Sequence, residues 1–76
     1  MKAVVFSTTK CVWCDKVVRL LEDSEITVDK VDVAQDPNQL KEMLKISNKA
    51  KTVPQVVIDG NFIGGYTEVE RFLNHL

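Results

Sequence analysis

Lys10-Cys11-Val12-Trp13-Cys14-Asp15-Lys16 holds both cysteines of this 76-residue chain, spaced Cys-x-x-Cys. A short apolar run, Ala3 to Phe6, precedes it and a stretch of helical periodicity follows. The pair therefore stands at the opening of a helix, directly after a strand. Residues three apart in that position share a face, with Cβ atoms about 5–6 Å apart, while a disulfide needs about 3.5–4.5 Å. A small adjustment of the first helical turn makes or breaks the bond. The two sulfurs are not equivalent. Cys11 lies at the helix mouth, where free backbone N–H groups, the positive end of the macrodipole and the flanking Lys10 and Lys16 all favour a thiolate. Cys14 lies one turn inward and is the more shielded. Cys11 is the expected nucleophile and Cys14 the resolving thiol.

The length suits one small domain, residues 1–76, near the size at which a single core only just stabilises a fold. A hydrophobic share of 45% is that of a globular chain and argues against disorder. A formal net charge of -1 gives no reason to expect nucleic acid or a membrane surface as partner. The apolar run at the start is too short for a secretory segment or a membrane span, so a cytoplasmic chain is expected, and a monomer. In a reducing compartment a structural disulfide is a poor use of the only cysteine pair. A structural zinc needs about four ligands, and Cys11, Cys14 and His75 fall short, so no metal is expected. A redox-active pair is the leading reading, with an intersubunit or partial metal site as the alternative.

Along the chain, Cys14, Val17, Val18 and Leu21 mark the apolar face of a helix ending near Ser24. Val28, Val31 and Val33 follow in a second β-branched stretch, so the first third reads β-α-β with parallel strands. Asp36-Pro37 is a helix start, Asp as N-cap and Pro at the first helical position. Leu40, Met43, Leu44 and Ser47 give that helix its face, and Lys45, Lys49 and Lys51 gather at its end. Those lysines read as a solvated basic terminus that complements the dipole, or as an attractor for an anionic substrate. Pro54 precedes the apolar run Val56-Val57-Ile58, as at a strand's first position. Asp59-Gly60-Asn61 signals a hairpin turn into Phe62-Ile63, and Gly64-Gly65 breaks the second strand. Thr67 and Glu70 form the pattern of a capping box, opening a last helix with the face Val69, Phe72, Leu73 and Leu76. The order βαβ-α-ββ-α predicts an α/β fold with one four-stranded sheet and helices on both faces.

Three separated motifs now stand in order: Cys11-Val12-Trp13-Cys14, Thr52-Val53-Pro54-Gln55 and Gly64-Gly65-Tyr66-Thr67-Glu68. Together they resemble the glutaredoxins, small members of the thioredoxin fold, and are most similar to the short bacterial and phage types. The resemblance spans essentially the whole chain and implies a mixed sheet of thioredoxin-like topology. It implies a glutathione-dependent thiol–disulfide oxidoreductase with glutathione as co-substrate and no tightly bound cofactor. Disulfide-containing or glutathionylated proteins, ribonucleotide reductase among them, would be the clients. Pro54 would be a cis-proline that sets the Val53 backbone beside Cys11, Thr52 and Val53 would line that ledge, and Trp13 would form an aromatic wall. Gly65, Tyr66, Thr67 and Glu68 would meet the γ-glutamyl end of glutathione. Val12 stands where proline is most common between the cysteines, and Thr8 where many relatives carry a basic residue. Lys10, adjacent to Cys11, is one substitute for that basic residue, although a side chain one residue from the nucleophile points elsewhere; the glycyl carboxylate of glutathione would then rely on Lys49 or Lys51.

Blander readings of the same residues stay open: Tyr66 as an ordinary half-buried ring, Thr67 as a cap alone, Pro54 as a strand-edge marker. Two rival functions also stay open. One is a redoxin reduced by a flavoprotein reductase. The other is a non-catalytic module sharing an iron–sulfur cluster through Cys11 and glutathione, which would be coloured and dimeric.

Overall fold

The computed structural model describes all residues, 1–76. Four strands, β1 (Lys2–Ser7), β2 (Thr27–Asp32), β3 (Gln55–Ile58) and β4 (Asn61–Gly64), form one sheet in the order β2-β1-β3-β4. β1 pairs parallel with β2 and antiparallel with β3, and β3 pairs antiparallel with β4, so the sheet is mixed as expected. Three helices accompany it: α1 (Val12–Asp23), α2 (Pro37–Ile46) and α3 (Tyr66–Asn74).

Side-chain alternation along the strands decides which helix goes where. Ala3 and Val5 of β1 and Val56 and Ile58 of β3 point to one face, where they pack with Val17 and Leu21 of α1 and Val69 of α3. Phe6 points to the other face with Val33 and Met43 of α2, flanked by Val4, Val31 and Val57. The central strand β1 is thus covered on both sides, which is why it is almost uniformly apolar. β2 obeys the same parity, with Val28 against the α1/α3 core and Val31 against the α2 core.

Local signals set most element ends. Asp36 caps α2 through its carboxylate, which accepts from Asn38 N at 3.0 Å and Gln39 N at 3.4 Å, with Pro37 at the first helical position. The β3–β4 turn is the two residues Asp59 and Gly60, both at positive φ (51° and 83°) as a tight hairpin needs. Asn61, expected in the turn, is the first residue of β4. Val33, expected in β2, lies just beyond it and is buried by tertiary packing against α2.

Two expectations about the last helix are corrected. Its N-cap is Gly65, not Thr67, and the reaching carboxylate is that of Glu68, whose Oε1 accepts from Gly65 N at 2.9 Å. Starting two residues earlier adds Tyr66 to Val69, Phe72 and Leu73 on the side packed against the core. The helix also ends at Asn74, so Leu76 is exposed and not part of its apolar face.

Candidate active site

Cys11 is the N-cap of α1, with extended backbone (φ -102°, ψ 109°), and Cys14 lies one turn inside the helix. The two are joined by a disulfide with Cα atoms 5.2 Å apart. Cys14 is fully buried and Cys11 half-buried, so of the two sulfurs the leading one is the accessible one. Cys11 Sγ also receives the Cys14 N–H at 3.2 Å. The sulfur therefore occupies the place of a capping oxygen, and negative charge there is stabilised by an otherwise unpaired helix amide. The loop that presents it has Lys10 at φ 59°, and its Thr9 hydroxyl donates to Asp32 Oδ2 at 3.2 Å. Asp32 Oδ1 in turn accepts from the Ala34 and Gln35 amides, so the end of β2 and the cysteine loop are tied together.

Trp13 is half exposed beside the cysteines, an arrangement stabilised from two sides. Its ring lies 5.2 Å from that of Tyr66, tilted by 59°, and Lys16 Nζ sits 4.5 Å from its centroid. Such aromatic and cation–π contacts are worth about 0.5–1.5 kcal/mol each, enough to hold an exposed indole in one pose.

Next to Trp13 opens a cleft of about 310 Å³, lined by Trp13, Thr52, Val53, Pro54, Gln55, Gly65, Tyr66, Thr67 and Glu68. All eight residues expected around the cysteines for glutathione are thus brought to one place from three separated motifs. Gln55 joins them without having been singled out; it belonged to the quoted Thr52-Val53-Pro54-Gln55 motif, and its position next to Pro54 was the available signal. Its buried side-chain amide donates to Thr52 O at 2.9 Å and to the Thr52 hydroxyl at 3.2 Å, fixing the loop before β3. The Val53–Pro54 peptide bond is cis. The Val53 N–H and C=O make no hydrogen bond within the chain, so an extended ligand backbone has a donor and an acceptor free there. Lys49 and Lys51 do not line this cleft; they lie with Lys41 and Lys45 around a different concavity. Neither therefore stands among the cleft residues where the glycyl carboxylate of glutathione was expected to meet them.

The far wall depends on Gly64 and Gly65. Gly65 approaches Pro54, whose carbonyl oxygen would be 3.5 Å from a Cβ built on it. Gly64 has φ 128°, and a Cβ there would fall 2.9 Å from Glu68 Cγ and 3.0 Å from Glu68 Oε1. Gly64→Ala is expected to combine backbone strain of about 1–3 kcal/mol with loss of the Glu68 cap, about 1 kcal/mol. Urea unfolding should show a drop well beyond that of Glu68→Ala, which removes the cap alone; equal losses would mean that the strain term is absent.

Comparison with known proteins now decides the family. The glutaredoxin family model matches residues 3–63, and a "glutaredoxin-like 8.6 kDa protein in rubredoxin operon" of Clostridium pasteurianum is 38% identical over 66 residues, 87% of each chain. The chain belongs to the glutaredoxin family. Glutaredoxins are thiol–disulfide oxidoreductases that use glutathione as co-substrate. This chain is also 33% identical over 70 residues to the mitochondrial glutaredoxin-2 of Pongo abelii, covering 90% of its own length but 44% of that relative. It thus spans under half of that longer glutaredoxin. Among solved structures, a buckwheat glutaredoxin in complex with glutathione superposes with a TM-score of 0.81 at 28% identity, over 96% of this chain and 68% of that one. No helix of this glutaredoxin is long and apolar enough to cross a membrane.

Proposed function

We propose that this glutaredoxin is a glutathione-dependent dithiol oxidoreductase that reduces protein disulfides and glutathione mixed disulfides. The observation that carries the reading is the asymmetry of the pair: a half-buried sulfur capping α1, bonded to a fully buried sulfur, beside a cleft with a free backbone strand edge at Val53. In the reduced protein the Cys11 thiolate attacks one sulfur of a substrate disulfide; the substrate S–S bond breaks, one thiolate leaves, and a mixed disulfide forms on Cys11. Cys14 then gives up its proton and attacks Cys11 Sγ, releasing the second substrate thiol and closing the intramolecular disulfide. Two glutathione molecules return the protein to the dithiol, the first forming a mixed disulfide at Cys11 and the second leaving with it as oxidised glutathione. Electrons balance at two per cycle.

In this reading the tripeptide lies extended along Val53, with Trp13 and Tyr66 as an aromatic wall and the Gly65–Glu68 segment at the γ-glutamyl end. Trp13→Ala should raise KM for a glutathionylated peptide about fivefold, the equivalent of about 1 kcal/mol of lost stacking, and change kcat little. An unchanged KM would remove Trp13 from the binding surface. Ribonucleotide reductase is the first protein client to assay.

One feature favours a second reading. The nine cleft residues include a single formal charge, Glu68, and no lysine or arginine, so the two carboxylates of glutathione find no side-chain cation among them. A redoxin served by a flavoprotein thioredoxin-type reductase would have no need of one. Steady-state turnover with each reductant separates the two: cycling with glutathione supports our proposal, and cycling with the flavoprotein alone replaces it.

A further inference from the structure

Away from the cleft, a second concavity of about 450 Å³ is lined by Lys41, Leu44, Lys45, Lys49 and Lys51. Four of the ten basic residues of a chain with net charge -1 converge there, so the remainder of the surface carries an excess of acid. The convergence is built by the backbone. Lys41 and Lys45 are one turn apart on α2, and the chain then reverses through Asn48 and Lys49, both at left-handed φ (56° and 69°). Lys49 N bonds Leu44 O at 2.7 Å, and the Ser47 hydroxyl donates to the carbonyls of Met43 and Ala50, pinning the turn. None of the four ammonium groups has a carboxylate within ion-pair distance; the only ion pair in the chain is Lys30 with Asp15. Four cations around one concavity without counter-charges attract an external anion additively.

We infer that this concavity docks an acidic segment of the client protein, one with several Asp or Glu residues flanking the cysteine to be reduced. The inference rests on the oxidoreductase reading and names the chemistry of the client protein. Lys51 is followed directly by Thr52 of the cleft, about 3.8 Å of chain away, so the client residues that flank a cysteine carrying glutathione in the cleft come within reach of the lysines. The floor is Leu44 with the aliphatic lysine stems, which suits a peptide with separated charges. A nucleic acid is disfavoured: no aromatic ring lines the concavity to stack a base, and the acid-rich remainder repels a long polyanion.

The test uses two synthetic peptides, each with one glutathionylated cysteine, followed in one by four glutamates and in the other by four glutamines. The wild-type protein should reduce the acidic peptide with kcat/KM roughly tenfold higher at low ionic strength, and the preference should vanish near 1 M salt, where the Debye length is about 3 Å. The quadruple variant Lys41→Gln, Lys45→Gln, Lys49→Gln, Lys51→Gln should lose the preference while reducing bis(2-hydroxyethyl) disulfide at the wild-type rate. Equal rates on both peptides, or a preference that survives the quadruple variant, overturn the inference. An NMR titration with the acidic peptide carrying serine for cysteine reads docking without chemistry, and saturable shifts confined to the amides of residues 41–51 support it. A single-stranded oligonucleotide that shifts those amides at lower concentration overturns it. If no disulfide substrate is reduced at all, the oxidoreductase reading fails, and the titration still decides whether the acidic segment docks.

Discussion

Cys11→Ser should abolish every thiol exchange of this protein, with turnover of both glutathionylated peptide and protein disulfide falling to the uncatalysed rate. A serine hydroxyl retains the capping geometry at the mouth of α1, since serine is itself a favoured N-cap, so folding should be unaffected. What it removes is the nucleophile, because a hydroxyl is not ionised to any useful extent under conditions where a capped thiol is. Cys14→Ser should behave differently. Its sulfur is fully buried, and its task begins only after a mixed disulfide exists on Cys11. This variant should keep exchange with glutathionylated substrates and lose the two-thiol reduction of protein disulfides, which instead accumulate as covalent complexes visible by mass spectrometry. If Cys14→Ser alone eliminated the glutathione-linked reaction, the roles of the two sulfurs would have to be exchanged.

Leu21→Ala should be the most damaging substitution for stability. Leu21 is fully buried where α1 meets Ala3 and Val5 of β1 and the α3 residue Val69. Truncating such a leucine costs about 2–5 kcal/mol through lost transfer energy and the cavity left behind. A 76-residue domain holds only about 4–11 kcal/mol in total, so the change consumes at least about a fifth of it and, at the upper end of the cost, most or all of it. The melting temperature should fall by on the order of 10–25 °C. Leu40→Ala, at a position 38% exposed on α2, is the control and should cost less than about 1 kcal/mol. A Leu21→Ala loss no larger than that of Leu40→Ala would mean that the α1/α3 layer is not the principal core.

The same helix serves both predictions. The apolar stripe of α1 that ends in Leu21 begins with Cys14, so the packing that stabilises the sheet also withholds the resolving sulfur from solvent. The mouth of that helix leaves Cys11 exposed to its partners. Stability and chemistry are coupled at one element, and a substitution that loosens α1 should raise the reactivity of Cys14 toward alkylating agents before it unfolds the protein.

Much of the architecture was legible in the residues alone because the signals were local and repeated. The stripe Cys14, Val17, Leu21, the cap Asp36-Pro37 and the paired runs around Asp59-Gly60 each name an element by period or turn chemistry, and three motifs in order name the family. Where local rules competed, tertiary packing decided. Thr67 fits a capping pattern as well as Gly65 does, yet the helix begun at Tyr66 adds that ring to the side on which Val69 and Phe72 pack against the core. Likewise no spacing rule could say that four lysines spread over residues 41–51 share one concavity, or that the cleft contains no basic side chain. Those facts depend on how α2 is seated, with Met43 buried against Phe6 and Val33, and on the left-handed turn at Asn48 and Lys49 that follows it.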